Sequence, residues 1–136
     1  MNIALARLRN FVERYTAAWC SNDPSSVASF FSANGSLQIN AAAPAVGRSA
    51  IREVVRGFMA AFPDLRVSMD EALIQGNRAI CHWTLTGTNT GPGGTGQQVR
   101  ISGFEAWEFG VDELIFESRG HFDEALYQRQ LQGAKG

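Results

Sequence analysis

The sequence predicts an α+β domain in which helices come first and a long antiparallel sheet follows. Before Pro63, most apolar residues recur at the three-to-four spacing of a helix face. After Pro63 the period falls to two and holds through most of the remaining chain. Fourteen Gly against four Pro place tight turns, rather than stiff linkers, between the periodic stretches. These features imply a cone-shaped α+β barrel, with three N-terminal helices packed on a curved antiparallel sheet that encloses a pocket.

Each element has its own signature. From Ala4 to Cys20, Leu5, Leu8, Val12, Tyr15 and Trp19 fall on one helix face. A second helix starts at Asp23-Pro24, with Asp23 as N-cap and Val27, Phe30 and Phe31 on its buried side. A short strand follows, in which Leu37 and Ile39 alternate with Ser36, Gln38 and Asn40, and then a small-residue loop from Ala41 to Gly47. The third helix, Ser49 to Phe62, buries Ile51, Val54, Val55, Phe58, Met59 and Phe62. Leu65–Gln75 and Arg78–Thr90 form a hairpin about Gly76-Asn77. Val99–Phe109 and Leu114–Phe122 form another about residues 110–113, and a helical tail runs from Glu124 to Leu131.

Composition bounds the function. The chain has 136 residues, 45% hydrophobic and 18% charged, which suits one folded domain over 1–136. Twelve Lys and Arg against thirteen Asp and Glu leave a formal charge of -1. No basic excess exists to neutralise a phosphate backbone, so nucleic acid is not an expected partner. Neither a signal peptide nor a membrane span is expected, and two unclustered cysteines, Cys20 and Cys81, suit a reducing cytoplasm. No metal is expected, since His82 and His121 are far apart in sequence and lack the spacing of a short ligand motif. The glycine-rich stretch Gly87–Gly96 lies between two strands, so it reads as a hairpin connection or a flap rather than a phosphate loop.

Strand parity singles out Glu105. It shares a face with Val99, Ile101, Trp107 and Phe109, where desolvation disfavours its charged form. It is either a protonated donor or general acid/base, or a carboxylate paired at a sheet edge. Asp123 closes the last strand and either caps the tail helix or faces the pocket. Tyr15 and Trp19, four apart, suit a cavity wall that uses their polar tips, and His82 is a candidate donor through its imidazole. Phe58, Trp107, Phe116 and Phe122 complete an apolar ligand wall with Trp19. On parity, Arg100, Ser102, Phe104, Ala106 and Glu108 form the opposite, mixed face, which suits a homodimer contact.

The order Tyr15-x-x-x-Trp19, Asp23, Phe30-Phe31, Gly47-Arg48-Ser49-Ala50-Ile51 and Phe62-Pro63-Asp64 resembles the SnoaL-like polyketide cyclase family. The likeness continues through His82–Thr88, Gly91, Thr95-Gly96, Ile115-Phe116-Glu117, Asp123 and Gln130-Leu131. That family belongs to the nuclear transport factor two-like superfamily, with ketosteroid isomerase and scytalone dehydratase. The resemblance implies acid/base chemistry on a small hydrophobic carbonyl compound, without a cofactor, in a chain that dimerises. It also makes Asp123 the counterpart of the cyclases' acid/base aspartate. Tyr15 resembles by position the tyrosine donor of the isomerases, and Glu105 lies near the position of their protonated aspartate. Gln38 and Asn40 stand where those isomerases carry a base aspartate, so the isomerase's own base is missing. A non-catalytic binding or dimerisation module of the same fold is the alternative.

Overall fold

Leu8, Phe11, Val12, Tyr15, Ala18 and Trp19 make the buried stripe of the first helix, α1 (Leu5–Trp19). The computed structural model describes residues 4–133; residues 1–3 and 134–136, the ends of the domain expected from sequence, lie outside the described residues. The second helix, α2 (Pro24–Ala28), starts as expected, with the Asp23 carboxylate accepting from the Ser25 N–H. It is a turn shorter than expected, because the chain leaves the helix before Phe30 and enters β1 (Phe31–Ile39) at Phe31. β2 (Ala45–Val46) is a two-residue strand inside the expected small-residue loop. The third helix, α3 (Arg48–Ala61), buries Ile51, Val55 and Met59.

Four longer elements follow as a meander: β3 (Arg66–Gln75), β4 (Arg78–Thr88), β5 (Gln98–Phe109) and β6 (Ile115–Phe122), closed by α4 (Glu124–Leu131). The six-stranded sheet has the order β2-β1-β6-β5-β4-β3. One pairing departs from the antiparallel expectation, because β1 runs parallel to β6. Their register shifts between Phe31 and Ser36. Gly35 sits within that irregularity, where a Cβ would lie 2.8 Å from the Ile115 carbonyl oxygen. A side chain there would push the two strands apart.

The core lies between the helices and the inner sheet face. Phe11 packs edge-on against Phe30, Trp107 and Phe109, with ring centroids 5.2–5.5 Å apart, and Tyr15 meets Trp107 at 5.0 Å. β6 ends opposite Gly103, leaving the start of β5 without a strand partner on that side. The Gln130 carboxamide of α4 fills the gap by accepting from the Arg100 N–H at 2.7 Å and donating to the Arg100 carbonyl at 3.0 Å. No helix among the described residues is long and apolar enough to cross a membrane.

Candidate functional site

Period-two alternation is unbroken from Gln98 to Glu108, so β5 delivers Glu105 and Trp107 to the inner face. From across the core, α1 brings Tyr15 down onto them. The Tyr15 hydroxyl donates to Glu105 Oε1 at 3.4 Å, and the Trp107 indole N–H donates to Oε2 at 3.0 Å. No arginine among the described residues approaches this carboxyl, and the residue is only 8% exposed. Burial pushes its pKa up to about 7, although the bonds from Trp107 and Tyr15 pull the other way. Burial likewise holds the Tyr15 hydroxyl well above the usual phenol range, and the nearby Glu105 charge adds to it.

Glu105 and Tyr15 sit on the wall of a cavity of about 60 Å³. Trp19, Phe58, Trp83, Ile101, Gly120 and Phe122 are among the residues that complete the wall. Gly120 pairs directly with Glu105 across the β5–β6 ladder, so no side chain covers the carboxyl from that strand. Such a site can hold a small, mostly apolar compound and give or take one proton.

Of the residues singled out from sequence, Tyr15, Trp19, Phe58, Glu105 and Phe122 meet on this cavity. Trp107 does not line it; fully buried behind Glu105, it holds the carboxyl in place. One placement decides between two alternatives left open by the sequence, and two correct its reading. Asp123 is exposed and its carboxylate accepts from the Leu126 N–H at 3.0 Å, so it caps α4. His82 lies on the outer sheet face, against Phe104 at 5.9 Å between ring centroids and across the sheet from Glu105. Phe116 is 48% exposed. The β5–β6 register pairs Phe109 with Ile115 and Glu108 with Glu117, so Phe116 is the extra residue of a bulge and Ile115 takes the core position.

Trp83, Met69 and Val67 line the cavity without having been singled out. Trp83 was legible, since it shares a β4 face with Cys81 and Leu85. Met69 was not, because β3 changes register between Met69 and Glu71. The glycine-rich loop is no flap. Asn89 donates to the Ala61 carbonyl at 3.1 Å and accepts from the Thr95 N–H at 2.8 Å, pinning the loop to the end of α3 away from the cavity.

A curved sheet wrapped by N-terminal helices, with a buried carboxyl facing an apolar cavity, defines a protein of the ketosteroid isomerase-like, nuclear transport factor two-like fold. More narrowly, the SnoaL-like domain model matches residues 12–118, and the chain belongs to that family. No curated protein matches the sequence. Among solved structures, a protein assigned to the SnoaL-like polyketide cyclases from Jannaschia sp. CCS1 superimposes with a TM-score of 0.81 at 13% identity, over 99% of each chain. TsrD from Streptomyces laurentii gives 0.80 at 19% identity, over 96% of this chain and 98% of its own. A protein of ketosteroid isomerase-like fold from Catenulispora acidiphila, in complex with trimethylamine, gives 0.79 at 18% identity, over 92% and 93%.

Proposed function

We propose that the chain is a cofactor-independent enzyme that uses Glu105 for proton transfer on a small, uncharged, largely apolar carbonyl compound, in the manner of a polyketide cyclase or isomerase. The observation that carries this reading is the buried Glu105 carboxyl on the cavity wall, unpaired with any cation among the described residues and poised near neutrality. As a carboxylate it takes a proton from the carbon beside the carbonyl, and the electron pair moves onto the carbonyl oxygen. Tyr15, whose 3.4 Å bond to Glu105 is long enough to be exchanged, donates to the enolate oxygen. Glu105 then returns the proton to the product. The proposed pocket needs neither metal nor organic cofactor for this step, because the carbonyl itself acidifies the proton. The enzyme works as a soluble homodimer, with Ile80, Phe104 and Ala106 on the outer sheet face as the centre of the contact.

The test needs no native substrate. Side-chain carboxyl NMR gives the Glu105 titration, and hydrogen–deuterium exchange beside the carbonyl of cyclohexanone reports proton abstraction. The expected result is a titration near 7 and an acceleration of exchange that Glu105→Gln lowers by about 10²-fold or more while the variant stays folded. An ordinary titration near ~4 with no acceleration overturns the reading. The removal of Asp123 from the cavity, which leaves one carboxyl there, favours a second reading as a non-catalytic binding module. A raised Glu105 titration without any exchange would select it.

A further inference from the structure

The cavity wall is one-sided in charge. Among the described residues, Glu105 and Tyr15 are its titratable groups, and no Arg or His lines it. Facing Glu105 are Tyr15 from α1, Trp107 on its own strand, Cys81 from β4 and Gly120 from β6. Of these neighbours only Tyr15 and Cys81 titrate, and burial pushes both upward, so they stay neutral through the range in which Glu105 ionises. An anionic ligand would find no counter-charge among the described residues that line the cavity.

The walls are also unusually aromatic. Tyr15 and Trp19 come from α1, Phe58 from α3, Trp83 from β4 and Phe122 from β6. Trp19 and Phe58 meet edge to face at 6.3 Å, and Trp83 and Phe122 do so at 6.1 Å. Ring faces carry the negative lobe of the aromatic quadrupole and attract a cation within about 6 Å, most strongly where water is excluded. A neutral carbonyl compound gains nothing from that field. A bare metal ion or a primary ammonium would lose tightly held water that one carboxylate cannot replace. An alkylated ammonium spreads its charge over methyl or methylene groups and is weakly hydrated, so it gains the rings and the carboxylate at a small desolvation cost.

We propose that the cavity binds small tertiary or quaternary ammonium ions, with the alkylated nitrogen among the rings of Trp19, Phe58, Trp83 and Phe122 and against the Glu105 carboxylate. This rests on Glu105 being the working group of the pocket, as above, and requires no proton-transfer chemistry. A cation favours the ionised carboxyl, so affinity rises with pH through the Glu105 titration and levels off above it.

The experiment titrates the full chain with tetramethylammonium chloride, which carries its charge at every pH. 2-Methylpropan-2-ol serves as the neutral probe of similar size. Indole N–H resonances and calorimetry report binding at pH 6 and pH 8. Expected is saturable tetramethylammonium binding, about tenfold tighter at pH 8, as the ionised fraction of a group titrating near 7 requires. It should exceed the alcohol by about tenfold or more. Glu105→Gln should remove the pH dependence and weaken the ion about tenfold, and Trp19→Leu should weaken it several-fold while leaving the pH dependence in place. If Glu105→Gln does not fold, the wild-type pH series and Trp19→Leu carry the test alone. Equal binding of ion and alcohol, or an affinity flat with pH while Glu105 titrates near 7, overturns the proposal. Absent ammonium binding with Glu105 titrating near 7 defeats this inference and spares the proton-transfer reading. Tight ammonium binding with Glu105 titrating near ~4 does the reverse.

Discussion

Glu105 imposes a pH dependence on the fold as well as on the site. Its folded pKa of about 7 lies above its ordinary 4.5, so the native state holds the proton more tightly than the unfolded chain. The stabilisation is fully present below about 4.5 and is lost as pH rises to about 7, a change of about 3 kcal/mol. Glu105→Gln keeps the shape and has no such slope. Urea unfolding at pH 5 and pH 8 should therefore show the variant gaining on the wild type by about that amount at the higher pH. Asp123 should respond as a cap. Asp123→Ala costs about 1 kcal/mol, Asp123→Asn almost nothing, and neither changes occupancy of the cavity in a ligand titration. Parity revealed Glu105 because nothing interrupts the alternation of β5 on the way to it. For Phe116 parity misled, since Phe116 is itself the extra residue of a bulge, which exchanges inside for outside and leaves no mark in an apolar Ile-Phe pair.

At the scale of elements, helix starts were the most legible features. Asp23-Pro24 and Asp123-Glu124 each carry their own hydrogen-bond logic, and α4 runs over the expected residues. The parallel partnership of β1 with β6 was illegible, because alternation within a strand says which residues share a face and nothing about the neighbour's direction. β2 escaped notice for a different reason, being two small residues held by a single pairing to β1. The loop between β4 and β5 owes its position to a close approach. The Gly91 N–H donates to the Ala61 carbonyl, and a Cβ at Gly91 would lie 1.9 Å from the Ala60 carbonyl oxygen. Gly91→Ala should push the loop off α3 and cost about 1–3 kcal/mol, with faster amide exchange at Asn89 and Thr95 as its local sign.

Across the whole molecule the sheet has two unlike faces. The inner one is covered by helices, whereas the outer one carries Ile80, His82, Phe104 and Ala106, half-buried among Arg78, Glu108 and Glu117. A second copy laid on that face would cover its apolar centre and keep the charged rim in water. Light scattering at micromolar concentration should give a mass near twice 14.8 kDa, and Phe104→Asp should return it to the mass of one chain. A wild type that scatters as a single chain would count against the dimer.

The parallel contact between β1 and β6 also orders the route to the native state. Its register joins Phe31 to Ile115 and Leu37 to Ser118, whereas β3 to β6 are linked to one another by turns and one short loop. Closing so long a stretch of chain is entropically slow compared with zipping neighbouring hairpins. The four-stranded meander is therefore expected to assemble early, and the N-terminal segment through α3 to dock onto β6 late. The cavity takes its walls from both parts, with Tyr15, Trp19 and Phe58 on one side and Trp83 and Glu105 on the other. It comes into being only at that final docking, so a ligand that fills it holds the last-formed seam shut and slows unfolding more than it speeds folding.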